Sequence, residues 1–345
     1  MFARRICGMM LLMLMLSQGA LAQDIHFSQT DQAPLLQNPG STGLYYGLYR
    51  AALNYKNQWA VMGKPYNTFM ASFDMPFEND RNYYGAYLGL GGFVFTDKAG
   101  DSRFSTTQAD VSVSCIIPMG ESHFLSTGLN LGLMVRSIDI SAIQWPNQYD
   151  GQNYNPDLPS NEDAKMGSFF HMDAGAGIVY QYLNSGTQFH GRSLAIFQIG
   201  AALLHANRVF QRHGGSPDYI YPRFVAHTSL RYDFNGSIFG INPSVYYMKQ
   251  GPAYEFGAGF LLRIKTGKET NITGLLKESS FLLGIQYRHK DAIIPQLFFE
   301  IADFGLGLSY DLNVSTFSSA TRKQGGLEIS VRYMRSKGPL YRNRH

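Results

Sequence analysis

Two cysteines occur in 345 residues, Cys7 and Cys115. A chain processed after residue 22 keeps Cys115 alone, which excludes an intramolecular disulfide. Charge is scarce too. Lys, Arg, Asp and Glu supply 16% of the residues, against roughly 25% in a typical soluble domain. The formal net charge is +4, and Arg4 and Arg5 account for two of those charges. The small excess that remains is no electrostatic footprint for nucleic acid. Beyond the first stretch there is no run of about eighteen uncharged apolar residues, so no transmembrane helix is expected.

What is abundant points elsewhere. Aromatic residues make up 14% of the chain, with 22 Tyr and 24 Phe, and there are 36 glycines; mean hydropathy is only −0.16. Strands that are apolar on one face and polar on the other give this balance, as in a membrane β-barrel. The start of the chain fits an export route. Arg4 and Arg5 precede an apolar run from Ile6 to Leu16, and Ala20-Leu21-Ala22 offers a cleavage site before Gln23. This is the pattern of a secretory signal peptide.

Period-2 alternation runs through most of the remaining chain. Phe224, Ala226, Thr228, Leu230 and Tyr232 oppose Arg223, His227, Ser229, Arg231 and Asp233. Phe304, Leu306, Leu308, Tyr310 and Leu312 oppose Gly305, Gly307, Ser309 and Asp311. Several runs reach ten residues or more, the length of a tilted membrane-crossing strand, whereas sandwich strands usually stop at about five or six. The reading is an all-β chain: a single transmembrane antiparallel β-barrel of outer-membrane type with about fourteen strands. Its organisation is a signal peptide over 1–22, an N-terminal segment over 23–43 that is periplasmic or plugs the barrel, the barrel over 44–335, and a basic tail over 336–345. Two long, polar connections, 139–165 and 207–220, are expected outside the cell, and 266–279 on the periplasmic side.

Candidate chemistry is sparse. The pairs Gly89/Gly91, Gly175/Gly177, Gly257/Gly259 and Gly305/Gly307 fall on the lumenal face and serve either strand curvature or a cleared docking slot. Arg50, Asp74, Asp110, Arg136, His171, Asp173, Arg231, Asp233, Glu255, Arg263, Arg288, Asp311 and Arg332 share that face, as structural ion pairs or as the lining of a selective pore. Asp150, Asn153, Asn155, Asp157, Glu162 and Asp163 offer hard oxygen ligands, but at no known calcium spacing. His205, Arg208, Arg212 and His213 form a basic cluster in an external loop. His171 and Asp173 share a face, yet no motif fixes a nucleophile. No catalytic, cofactor-binding or metal-binding residue is therefore assigned, and no cofactor is expected.

A further signal is an ordered set of blocks. They read Gln23-Asp24-Ile25-His26-Phe27-Ser28-Gln29, Ala33-Pro34-Leu35, Asn38-Pro39-Gly40, Asn54-Tyr55-Lys56-Asn57-Gln58-Trp59, Pro65-Tyr66-Asn67-Thr68 and Ala71-Ser72-Phe73-Asp74. Near the end come Gly307-Leu308-Ser309-Tyr310-Asp311-Leu312-Asn313-Val314-Ser315 and Gly326-Leu327-Glu328-Ile329-Ser330. The set resembles the PorP/SprF family of Bacteroidota outer-membrane proteins, departing from it at Ile25, Gly40 and the basic tail. The resemblance implies a barrel of the type IX secretion system, with the secretion machinery and its periplasmic ring lipoprotein as partners. It also implies secreted cargo bearing a C-terminal sorting domain, such as adhesins, held at the cell surface and in some members serving gliding. Outer-membrane lipid is the remaining partner. The competing functions are a general diffusion pore and, more remotely, an embedded enzyme.

Overall fold

In the computed structural model the described residues are 24–58, 66–77, 85–99, 104–137, 144–161, 168–188, 191–208, 210–213, 216–266, 279–314 and 324–335. Fourteen antiparallel strands close into one barrel. They are β1 (Tyr49–Gln58), β2 (Tyr66–Phe77), β3 (Tyr87–Ala99), β4 (Phe104–Pro118), β5 (His123–Ser137), β6 (Phe169–Gln188), β7 (Gly191–Leu204), β10 (Arg223–Asp233), β11 (Phe239–Gln250), β12 (Ala253–Lys265), β13 (Ser279–Arg288), β14 (Ala292–Ile301), β15 (Phe304–Asn313) and β16 (Gln324–Arg335). Between β7 and β10, β8 (Phe210–His213) and β9 (Ser216–Tyr219) form a separate hairpin. Each barrel strand pairs with its neighbour in the chain, apart from that hairpin, and β1 closes the ring on β16 from Tyr49↔Arg335 to Gln58↔Gly326. Closure leaves no unpaired edge to face hydrocarbon, where an unsatisfied backbone group costs several kcal/mol.

The alternation in the sequence becomes the two faces of the wall. On β4, Thr106, Gln108, Asp110, Ser112 and Ser114 are buried, while Val111 and Val113 are exposed. On β5, Ser126, Asn130 and Met134 point inward, and Leu129 and Leu131 are 65% and 68% exposed. Burial is therefore inverted relative to a sheet in water: oily rows cover the outside and polar rows line the inside. Tyr49, Phe73, Phe304 and Tyr333 gather at one rim, with ring centroids 4.8 to 6.1 Å apart. Aromatic girdles of this kind sit at the membrane–water interface. Among the described residues no helix is long and apolar enough to cross a membrane.

The two mouths differ. The long connections after Ser137 and after Leu204 open at one mouth, called the loop mouth below. The start of β1 and the end of β16 lie at the other, the turn mouth, with short links such as those after Pro118 and Ile301. Two ladders are interrupted opposite prolines. The β10–β11 register skips Asn242 and Pro243, and β14–β15 skips Ile294 and Pro295. Proline brings no N–H to a ladder.

Candidate functional site

The lumen is the place where buried polar groups concentrate, and residues 24–48 run through it. Their local chemistry suits a compact thread rather than a fifteenth strand. Pro34 stands in the first turn of a four-residue helix, α1 (Pro34–Gln37), and Pro39 opens a single 3-10 turn after it. Proline is pre-set for a helix start and cannot donate to a sheet ladder. The Asn38 side chain caps that second turn by accepting the Gly40 amide at 2.8 Å. The segment enters at the loop mouth and leaves at the turn mouth.

At the loop mouth the Asp24 carboxylate binds His205 Nε2 and lies 3.7 Å from Arg223, and the Asp24 amide donates to Gln250 Oε1 at 3.2 Å. His205 Nδ1 meets Asp173 at 2.8 Å. Asp173 in turn accepts Gln108, which also donates to Asp110, and Asn130 donates to Asp110 at 2.6 Å. Arg223 reaches the carbonyls of Ile25 and Leu36. Burial opposes an imidazolium at His205, but Asp24 and Asp173 on its two sides outweigh it and raise the pKa to about 9. Burial likewise opposes the Asp24 carboxylate, yet His205 and Arg223 hold it below its usual range.

Further along the segment, still in the loop-mouth part of the wall, the Glu328 carboxylate takes the amides of Ser28 and Gln29 at 2.7 and 2.8 Å, one on each oxygen. Ser28 donates to Asp311, whose other oxygen accepts Arg288 at 2.6 Å. Gln29 spans Ser309 and Ser330. Lys56 gives its ammonium to the His26 carbonyl at 3.0 Å. Lys56, Glu328 and Ser28 are all fully buried or nearly so. Buried charge survives only when paired, and here the segment itself is part of the pairing. Beside these polar contacts Phe27, Ala33, Leu35 and Leu36 pack on Met70, Phe93 and Phe95, so an apolar core also lies inside the barrel.

Toward the turn mouth Asn38 donates to the carbonyls of Ile178 and Ala201. Thr42 gives its carbonyl to Ser114, and the Gly43 amide meets Asp74. Arg50 holds Asp74 with two bonds of 2.9 and 2.8 Å. Wall glycines make the close approach possible. A β-carbon at Gly177 would overlap the Asn38 side chain, and one at Gly128 would overlap the Pro39 carbonyl. Leu44, packed on Ile116 and Val179, leads into β1.

The lumenal ionisable residues read from the alternation are thus lumenal and mostly buried. Arg50, Asp74, Asp173, Glu255, Arg288, Asp311 and Arg332 touch residues 24–48, directly or through one partner. Of the glycine pairs, Gly89, Gly177 and Gly307 face the segment, whereas Gly257 lies against Tyr246 and Gly305 against Phe298. The first three leave room for the thread, and the other two leave room for rings of the wall itself. Lys56 and Glu328 enter the sequence reading through the family blocks and not as lumenal charges, and Glu300 does not enter it; each lies on the polar face of its strand, so face assignment finds them. His205 leaves the basic cluster assigned to it, being 2% exposed and turned into the lumen. In the loop at 144–161, Asp150 accepts the amides of Gln152 and Asn153, with its carboxyl lowered by those bonds, and Asn155 accepts Asp157. These oxygens close turns. Glu162 and Asp163 lie outside the described residues, and among the described residues no group of three His, Cys, Asp or Glu is placed for a metal.

Comparison with known proteins gives one family. The family described as "Type IX secretion system membrane protein PorP/SprF" matches residues 20–333. No curated protein matches the chain. Among solved structures, the CymD monoaromatic hydrocarbon channel is 10% identical, covering 89% of this chain and 93% of that one with a TM-score of 0.47. The toluene transporter TodX of P. putida is 11% identical over 89% and 94%, with a TM-score of 0.42. BamA from Haemophilus ducreyi is 9% identical over 83% and 70%, with a TM-score of 0.41.

Proposed function

The chain belongs to the PorP/SprF family of type IX secretion system membrane proteins, and from that premise we propose that it is a plugged outer-membrane barrel that supports secretion and surface anchoring of cargo bearing a C-terminal sorting domain. The family match over residues 20–333 carries this reading. In the orientation usual for such barrels, long loops face outside and short turns face the periplasm. The loop mouth then presents the connections 139–165 and 207–220 to cargo at the surface. The turn mouth faces the periplasmic machinery, including the ring lipoprotein. Residues 1–22 serve as the signal peptide that directs export and are removed after Ala22.

The diffusion-pore reading is disfavoured by the lumen. Residues 24–44 occupy it from mouth to mouth, tied by charge-assisted bonds at Asp24, Ser28, Gln29 and Gly43. Such bonds are roughly twice as strong as neutral ones. No enzymatic role is proposed. Deleting the gene should leave a large sorting-domain protein in the medium or the periplasm instead of on the cell surface, and the chain expressed from a plasmid should restore display. Normal surface display in the deletion strain would reject the proposal.

A further inference from the structure

The thread does not fill the lumen evenly. Between residues Gln29–Gln32 and the inner wall of β10–β14 and β16 a cavity of about 210 Å³ remains. Arg231, Arg263 and Arg332 line it. Each stands within three residues of the turn-mouth end of its strand. Lys265 joins them through Asp233, at 3.5 Å.

Four cations here share two wall carboxylates. Asp233 lies 3.4 Å from Arg231 and 3.8 Å from Arg263, besides Lys265. Glu300 binds Arg263 and lies 2.7 Å from Arg332. Asp31 of the thread also borders the cavity, so among the described residues four cations stand with three carboxylates. The side chains of Arg231 and Arg332 stay 27% and 20% exposed, so their guanidinium groups reach open volume. Gln286, 3% exposed, also lines the cavity and accepts the Gln296 amide at 2.9 Å.

We propose that this cavity, flanked by the arginines near the turn-mouth ends of their strands, is a carboxylate-binding site. A guanidinium presents a planar fork that suits a carboxylate, and Glu300 already bridges two of these arginines, with one oxygen on Arg263 and the other on Arg332. The volume is ample for a short dicarboxylate or for a carboxylate carried on a polypeptide. The site goes beyond the secretion role and does not depend on it.

The test uses the full-length chain in detergent micelles, titrated calorimetrically with succinate and, separately, with a short oligo-aspartate peptide. Saturable binding of at least one probe is expected. Arg231→Gln should weaken it about tenfold, or roughly 1.4 kcal/mol, and Arg231→Lys should restore only part of the loss, since an ammonium keeps the charge without the fork. Arg231 is the variant of choice because Asp233 keeps Arg263 and Lys265 as partners. Should Arg231→Gln fail to fold, Arg332→Gln serves, since Glu300 keeps Arg263. Binding of succinate alone points to a small free acid, and tighter binding of the peptide points to a polypeptide; both support the site. No saturable heat with either probe on folded protein, or an unchanged affinity in the folded glutamine variant, overturns it.

Discussion

Glu328 is fully buried in the last strand and meets two successive backbone amides, one on each carboxylate oxygen. Glutamine at this position keeps one acceptor and turns an NH2 group toward the other amide, leaving a buried donor unmatched. The expected cost of Glu328→Gln to the docking of residues 24–44 is about 1–3 kcal/mol. Hydrogen exchange at Ser28 and Gln29 should quicken several-fold, with the strands unaffected; unchanged protection there would refute this role. The Asp24–His205 pair adds a pH dependence. The raised pKa of His205 means that its contribution is full below its ordinary value of 6.5 and fades as the pH rises through about 9. The lowered carboxyl of Asp24 means that its contribution is full above 3.8 and fades at lower pH. Once corrected for intrinsic rates, exchange at residues 24–27 should be slowest between about pH 4 and 6.5 and should quicken steadily from there to about pH 9. His205→Gln should abolish the alkaline limb, and a profile identical in wild type and variant would dismiss it.

At the scale of elements, the strands were the most legible part, because a two-residue period is a local property. The paired faces of β10 and β15 were written in single runs of sequence. Their ends were less legible. The oily alternation stops near Tyr182, yet β6 continues to Gln188, since its ladder with β7 extends through polar residues there. The hairpin of β8 and β9 falls inside a connection that carries no alternation, and strand pairing alone defines it. The lipid-facing rows make a direct prediction. Leu131 lies near the middle of β5 and is 68% exposed to the outside. Leu131→Arg should destabilise the folded barrel by roughly 2–4 kcal/mol, the usual cost of a cation at mid-membrane on a barrel surface. Equilibrium unfolding in vesicles measures it. A cost near zero would mean that this row does not face acyl chains.

For the whole molecule, the consequential feature is that the barrel is filled by its own chain. In planar bilayers the full-length protein should pass little current, and a variant lacking residues 24–44 should show a large, steady conductance. Heat-modified mobility on gels would confirm that the shortened barrel still closes. Equal conductance in the two proteins would show that the thread does not block ion flow.

Composition and period-2 patterning by themselves determined an all-β barrel wall, its approximate strand number and which face of each strand is polar. Those properties depend on neighbours two residues apart, and the need to satisfy every backbone group in lipid then forces closure. The ordered blocks identified the family, and they also marked the very residues, from Asp24 to Gly40, that the lumen holds. Only the tertiary structure decided that this segment threads the barrel from loop mouth to turn mouth, that His205 turns inward to meet Asp24, and that Glu328 receives the Ser28 amide 300 positions away. The segment has no period to betray its surroundings. Its place is set by single hydrogen bonds to many different strands, and those strands converge on it only once the ring is closed.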